Sequence, residues 1–283
     1  MANYEKQWSS ANPGLLIIML DQSGSMDRKY QDDETQATFA AKAVNKVINS
    51  IIDKNFSGDS PKNRCFIAVI GYGTEATLLH HGLISEYANK PLKIEKIKKK
   101  MSDGEGGIIE IDKNMPVWFE PKNNGVTNMA AAFKIASQLI NEYFKANPSS
   151  PAPVLINISD GEPCIWNGQE AVWDLEETTK AAKVIMNTAC DDGNVLIFNA
   201  HIEANSFNVQ LPCSESEIPS SDGAKFLYNI SSIIPDSYKK AAEKAGLLVK
   251  DKARGCMISC DAEGLVKLID FGSSKGLSDI SKK

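Results

Sequence analysis

Two aspartates each follow a run of apolar residues, and each is accompanied by small hydroxyl side chains. Asp21 directly follows the apolar run 15–20. It is the first residue of the motif D-x-S-x-S, which places three oxygen side chains at alternate positions of one loop. Asp160 comes shortly after a second apolar run, 154–158. Carboxylate and hydroxyl oxygens are the ligands of hard divalent cations such as Mg²⁺. Because serine and aspartate are also common in turns and helix caps, the first motif alone does not separate a metal site from a cap.

A threonine lies in a glycine-containing loop between these two aspartates. Thr127 follows Gly125 and precedes a helical pattern of apolar residues that begins at Met129. Two strand-ending aspartates with a loop threonine between them resemble the metal-ion-dependent adhesion site of von Willebrand factor type A (VWA) domains. The resemblance implies that five side chains share one Mg²⁺ or Mn²⁺: Asp21, Ser23, Ser25, Thr127 and Asp160.

Strand-like and helix-like segments alternate along the chain, which predicts a doubly wound α/β sheet with helices on both faces. The VWA resemblance implies a central, mostly parallel sheet with one antiparallel edge strand, here the segment 76–79. The sequence contains no internal repeat and no linker that would divide two cores. We therefore expect residues 1–283 to form a single VWA domain with its core at about 12–273 and short tails at both ends.

The later part of the chain is similar to the bacterial VWA proteins of tellurite-resistance clusters (TerY-like). The similar segments are 199–202, 231–233 and 269–272. This resemblance implies a scaffold or sensor in bacterial stress or defence signalling, working beside a protein kinase and a phosphatase. It also implies that the metal binds an Asp or Glu carboxylate of a protein partner through an open coordination position.

Composition narrows the classes of partner and the compartment. The net charge of -5 argues against a general nucleic-acid surface, and no apolar run is long enough to span a membrane. The N-terminus lacks the basic and then apolar pattern of a secretion signal. The six cysteines include no C-x-x-C pair, so we expect reduced thiols and a cytoplasmic protein.

A partner surface around the metal needs a shaped rim, and aromatic side chains are the usual anchors of such surfaces. Trp166 and Glu162 lie in the loop that follows Asp160, and Trp118 and Phe119 lie before the Thr127 loop. These four residues are the predicted rim. Because tryptophan is usually buried, core positions remain an equal alternative for Trp118 and Phe119.

A metal-dependent hydrolase or phosphotransferase with Asp21 as nucleophile is the alternative function. Phosphohydrolase loops of that kind carry a second aspartate two residues later, where this chain has Ser23. The sequence has no G-x-x-x-x-G-K-[ST] phosphate loop and no evident Ser/His/Asp set. We therefore expect a binding protein and not an enzyme.

Several connecting segments have weaker patterns. Apolar residues at 94, 97 and 101 predict a helix with a lysine-rich exposed face. An insertion is expected around 102–122, with either a short hairpin or irregular structure over 108–119. Residues 169–190 are predicted to be helical, and roughly 203–220 to form a polar loop.

Overall fold

The fold is a seven-stranded sheet between two layers of helices, seen in a computed structural model that describes residues 4–30, 33–102, 108–203 and 208–274. The strands, in chain order, are β1 (Gly14–Asp21), β2 (Phe56–Ser57), β3 (Ser60–Pro61), β4 (Cys65–Tyr72), β5 (Ala76–Leu83), β6 (Lys93–Ser102), β7 (Ile108–Val117), β8 (Val154–Ser159), β9 (Cys164–Trp166), β10 (Ala171–Trp173), β11 (Leu196–His201), β12 (Val209–Gln210) and β13 (Cys256–Ile258). The helices are α1 (Gln36–Asn55), α2 (Ile84–Asn89), α3 (Met129–Ala146), α4 (Leu175–Asn187), α5 (Asp222–Asn229), α6 (Lys239–Lys244) and α7 (Ala262–Ser274).

The strand order of the central sheet is β12-β13-β11-β8-β1-β4-β5. Five strands, from β13 to β4, run parallel to one another, and β5 is the antiparallel edge predicted for the segment at Ala76. A second antiparallel edge, the short strand β12, lies within the predicted polar loop. The predicted doubly wound α/β architecture is therefore confirmed.

Strand β1 is the centre of the sheet, and all eight of its residues are buried. Alternate side chains of a strand point to opposite faces, so a strand covered on both sides is a continuous apolar run. Leu16 and Ile18 pack in the layer that contains α1 and α7. Ile17 and Met19 pack in the layer that contains α3 and α4. The apolar run 15–20 thus serves both halves of the core.

The chain changes direction across the sheet next to β1. Strands β4 and β5 extend the sheet on one side of β1, whereas β8 and β11 follow on the other side. In open α/β sheets such a change of direction leaves a crevice at the carboxyl ends of the two strands, where ligands bind. Here that crevice lies where β1 ends at Asp21 and β8 ends at Ser159.

The prediction of a helix through Ile94 and Ile97 is wrong. Lys93–Ser102 pairs antiparallel with Ile108–Val117 in a two-stranded hairpin. Ile94 and Ile97 are three residues apart, which fits one face of a helix, but in the hairpin they lie on opposite faces and are both exposed, so their spacing did not mark a buried face. The two alternatives for 108–119, a short hairpin within that segment or irregular structure, are both wrong, because Ile108–Val117 is a single strand paired with Lys93–Ser102. Within the predicted insertion 102–122, residues 103–107 lie outside the described ranges.

The predicted helix at 169–190 is shorter in the structure. Ala171–Trp173 is a strand, and the helix covers only Leu175–Asn187. A short hairpin formed with Cys164–Trp166 accounts for the earlier residues. At the N-terminus, Trp8 is 3% exposed and packs in the core ahead of residue 12.

Candidate metal centre

Neighbouring strands bring the two predicted aspartates to the same edge of the sheet. Strands β1 and β8 pair in parallel with Leu20 opposite Ile158, so Asp21 and Ser159 follow side by side. The side chains of Asp21 and Asp160 are both buried, with 0% and 4% of their surface exposed. Parallel pairing thus joins two carboxylates that are far apart in sequence.

Backbone hydrogen bonds hold the three loops of the site together. The N–H of Gly24 donates to the carbonyl of Gly125 over 2.9 Å, which joins the D-x-S-x-S loop to the threonine loop. The N–H of Cys164 donates to the carbonyl of Thr127 over 3.0 Å, which joins the threonine loop to the segment after Asp160. The side chain of Asn128 accepts from the N–H of Ala131 and caps α3, so the helix begins directly after Thr127.

The turn after Asp160 requires glycine. Gly161 has a φ of +80°, which side chains rarely adopt, and a Cβ there would lie 2.5 Å from the carbonyl oxygen of Gly223. This close approach packs the Asp160 loop against the start of α5. Asp160 is therefore held from both sides.

Asp21 has hydrogen-bond donors on both of its oxygens. The N–H of Ser23 donates to Oδ1 over 2.9 Å, and the hydroxyl of Ser159 donates to Oδ2 over 2.6 Å. Ser159 in turn accepts from the N–H of Gly161 over 2.9 Å. The hydroxyl oxygens of Ser23 and Ser25 lie 3.1 Å apart. The carboxylate and the two serines of the motif therefore form one connected group.

Asp160 is less completely paired. Its Oδ1 accepts from the N–H of Glu162 over 3.3 Å, whereas Oδ2 is buried and has no hydrogen-bond partner among the described residues. The guanidinium of Arg28 lies 3.6 Å from Oδ2 and 3.2 Å from Glu162. At 3.6 Å the Arg28 contact is an ion pair and not a hydrogen bond.

The electrostatics of the site favour the uptake of positive charge. Burial and then the neighbouring Asp160 carboxylate raise the pKa of Asp21 to about 7. Burial also raises the pKa of Asp160, and the nearby Ser25 hydroxyl offsets only part of that rise. Two desolvated carboxylates side by side are unfavourable unless a proton or a cation compensates them.

The donors fit a hard divalent cation. Two carboxylates, two serine hydroxyls and the buried Thr127 are oxygen donors, and they include the Asp160 Oδ2, which accepts no hydrogen bond from the described residues. Asp21, Ser23, Ser25, Thr127 and Asp160 are the residues that would hold such an ion. In the described part of the chain, no group of three or more His, Cys, Asp or Glu side chains is placed to hold a metal. Hydroxyl oxygens are therefore essential to the assignment.

Two residues of the site were not predicted from the sequence. Ser159 contacts Asp21 across 138 positions of sequence, and Arg28 reaches Glu162 across 134. Ser159 carried a weak signal, because it lies between a predicted strand and a predicted ligand. Arg28 follows the D-x-S-x-S loop by three residues, and nothing in its local sequence indicates its partner.

The predicted rim divides into exposed and buried residues. Trp166 is 58% exposed, and Glu162 is half-buried and forms an ion pair with Arg28. The rim prediction is wrong for Trp118 and Phe119, which are 7% and 5% exposed and pack in the core. Their burial costs no hydrogen bonds, because both backbone N–H groups donate to the side chain of Asn45 and the indole N–H of Trp118 donates to the carbonyl of Tyr87.

Comparison with known proteins supports the fold. No protein-family model and no curated protein matches the sequence. The pilus adhesin SpaC from Lactobacillus rhamnosus GG matches over 95% of this chain and 31% of its own, at 13% identity and a TM-score of 0.52. Identity this low bears on the fold alone.

Two other solved structures match less well. The PilB minor pilin from Streptococcus sanguinis matches 95% of this chain and 62% of its own, at 11% identity and a TM-score of 0.48. The vWF domain of the pili tip protein Mfa5 from Porphyromonas gingivalis covers 54% of this chain and 39% of its own, at 14% identity and a TM-score of 0.31. Scores below 0.5 do not establish a shared fold.

In the described ranges, no helix is both long and apolar enough to cross a membrane.

Proposed function

We propose that this protein is a VWA-type module that binds a protein partner through a Mg²⁺ or Mn²⁺ ion. Asp21, Ser23, Ser25, Thr127 and Asp160 hold the ion, and an Asp or Glu carboxylate of the partner completes its coordination. One observation carries the proposal: two buried carboxylates lie together at the carboxyl ends of adjacent parallel strands, one with an oxygen that accepts no hydrogen bond from the described residues. A divalent ion neutralises both, and an open position in its coordination shell takes the carboxylate of the partner.

Binding is favoured over hydrolysis because of the state of Asp21. A carboxylate nucleophile needs a free oxygen that can reach the substrate. Asp21 is fully buried, so a bulky substrate cannot reach its carboxylate, although a small cation can use the oxygen lone pairs that its hydrogen bonds leave free. The second aspartate that phosphohydrolase loops carry two residues later is replaced by Ser23. We therefore propose a binding protein without enzymatic activity.

The setting that we propose follows from the TerY-like resemblance. The protein acts as a scaffold or sensor in bacterial stress or defence signalling, and its partner belongs to a kinase and phosphatase pair. Glu162 and the exposed Trp166 form part of the rim around the metal. Their position directly after Asp160 in the chain supports this assignment.

Calorimetric titration tests the metal site directly. Wild-type protein should take up one Mn²⁺ or Mg²⁺ per chain, with millimolar metal included because affinity without a partner carboxylate is weak. Asp21→Ala should abolish the uptake. Asp53→Ala is the matched control, because Asp53 is an exposed aspartate whose side chain bonds only to Asn49 among the described contacts. No uptake by wild type, or equal loss in both variants, would refute the proposal.

A capture experiment tests the metal-dependent partner. The wild-type protein, Asp21→Ala and Asp53→Ala are immobilised and exposed to an extract of the native host in Mg²⁺ or in chelator. The proposal requires a protein retained by wild type and Asp53→Ala in Mg²⁺, and lost in chelator or with Asp21→Ala. An acidic-to-alanine scan of the captured protein should then identify one essential carboxylate. If a protein is retained equally in Mg²⁺ and in chelator, and equally by wild type and Asp21→Ala, that result argues against the proposed function.

A further inference from the structure

Two tryptophans are exposed on one small hairpin. Trp166 in β9 and Trp173 in β10 are 58% and 56% exposed, whereas Trp8 and Trp118 are buried. Tryptophan is buried in most folded proteins, and its large apolar surface is unfavourable in water. Two exposed indoles within eight residues of sequence indicate a surface used for binding.

The register of the hairpin places both indoles on the same face. Trp166 pairs with Ala171, and Trp173 pairs with Cys164. The two tryptophans are therefore diagonal neighbours, about 7–8 Å apart at their Cβ atoms. The opposite face carries the partly buried Ile165 and Val172. We call the outer face with Trp166, Trp173 and Ala171 the indole face.

The hairpin is held rigidly to the rest of the molecule. Its first strand is fixed by the bond from the N–H of Cys164 to the Thr127 carbonyl. Its exit is fixed by the bond from the N–H of Asp174 to the Pro163 carbonyl over 3.0 Å. In the turn, the side chain of Asn167 accepts from two successive backbone N–H groups. A partner therefore meets a surface that is already formed, which lowers the entropy cost of binding.

The surroundings of the indole face are acidic. Residues 160–179 include six acidic residues and no lysine or arginine. Arg28, Lys180 and Lys134 from elsewhere form ion pairs with Glu162, Glu176 and Glu177. Glu170 in the turn is exposed and forms no ion pair with any residue that the structure describes, whereas Asp174 at the exit is attracted by Lys134.

An indole face in an acidic segment, with the exposed Glu170 next to Ala171 in the chain, is complementary to a cation. Arginine and lysine side chains bind over indole rings through cation–π contacts, and a nearby carboxylate strengthens that attraction. We infer that the indole face docks a basic polypeptide segment, with an arginine or lysine cation over Trp166 or Trp173 and beside Glu170. The contact is independent of the metal ion, although the hairpin adjoins the metal centre.

The test uses the four indole N–H signals of the ¹⁵N-labelled full chain in heteronuclear NMR. Hexa-arginine amide is titrated in chelator, so that failure here and failure of the metal proposal are distinguishable. The signals of Trp166 and Trp173 should shift together, while those of buried Trp8 and Trp118 stay unchanged and report an intact fold. Added salt should weaken the binding, because the attraction is between exposed charges.

Variants distinguish this face from the general negative charge of the protein. Glu170→Gln should weaken binding by about twofold to fivefold, the range for one exposed charge pair. Trp173→Ala should weaken it by a similar factor of about twofold to fivefold. Glu142→Gln is the control, because Glu142 is an exposed glutamate on α3 outside the acidic segment.

Three outcomes would overturn the inference. The first is the absence of any shift at Trp166 and Trp173. The second is equal weakening by Glu142→Gln, which would indicate nonspecific attraction. The third is equal binding of hexa-arginine and an uncharged hexaproline peptide, which would make the face an apolar docking surface and not one for basic segments.

Discussion

At the scale of single residues, the decisive feature is the pairing of Asp21 with Asp160. Each carboxylate is buried, and burial together with the neighbouring Asp160 raises the pKa of Asp21 to about 7. Arg28 supplies one positive charge at 3.6 Å, but its side chain is largely exposed to solvent, which screens the attraction. The two carboxylates thus reduce the stability of the free protein, and the proposed cation would compensate them.

Removing one of these charges should stabilise the metal-free protein. Asp21→Asn keeps the size of the side chain and an oxygen acceptor for Ser23, but it removes the repulsion with Asp160. In chelator its melting temperature should exceed that of wild type by about 2–4 °C, the shift expected for roughly 1 kcal/mol in a chain of this size. Differential scanning calorimetry measures this directly.

The metal should reverse that order. Millimolar Mn²⁺ should raise the melting temperature of wild type, because a ligand that binds only the folded state stabilises it, and should leave Asp21→Asn unchanged. A variant that melts below wild type in chelator would show that the two carboxylates do not repel each other.

At the scale of elements, the β6–β7 hairpin depends on one buried asparagine. The side-chain oxygen of Asn45 in α1 accepts from the N–H groups of Trp118 and Phe119 over 2.8 and 3.1 Å. Its amide donates to the carbonyl of Phe119 over 2.8 Å. A two-stranded hairpin has little stability by itself, so these hydrogen bonds to Asn45 anchor the end of the hairpin to α1.

Asn45→Ala should therefore cost far more than an ordinary surface substitution. It leaves three buried backbone groups without partners, and we expect the free energy of unfolding to fall by about 2–4 kcal/mol. Asn49→Ala, one turn later on the same helix, loses only a contact with exposed Asp53 and should change stability by about 0.5 kcal/mol or less. Urea denaturation compares them, and equal losses would contradict the anchoring role of Asn45.

At the scale of the whole molecule, the sheet separates two cores that share β1. Buried side chains from α1 and α7 cover one face, and those from α3 and α4 cover the other. This arrangement also sorts the thiols. All six cysteines are free; Cys65, Cys256 and Cys260 are buried, and the other three are half-buried. Burial raises the pKa of Cys256 to about 12 and raises the pKa of Cys65 and Cys260 as well.

Thiol titration should distinguish these classes. With a colorimetric disulfide reagent, the native protein should react at no more than three thiols, because buried thiols are neither accessible nor ionised. Under denaturing, non-reducing conditions the count should be six, since every cysteine is free. A count of four or fewer in denaturant would indicate a disulfide, and rapid reaction of all six in the native protein would contradict the burial.

The local sequence was sufficient where burial on both faces leaves one interpretation. The apolar runs 15–20 and 154–158 predict parallel strands of a doubly wound sheet, and the structure confirms them at β1 and β8. The aspartates that follow those runs must then lie at one edge, because parallel strands share their carboxyl end. The five-residue metal set is implied by the VWA resemblance, and metal titration is its test.

Only the tertiary structure decided which polar and aromatic side chains are buried and what they contact. Ser159 and Arg28 join the site through partners more than a hundred residues away, and no local pattern encodes such contacts. Trp118 and Trp166 were both predicted at the rim, yet one is buried against Asn45 and Tyr87 and the other is exposed. The physical reason is that an aromatic ring is buried wherever distant elements supply its apolar cover and hydrogen-bond acceptors, and those elements meet only in the folded chain.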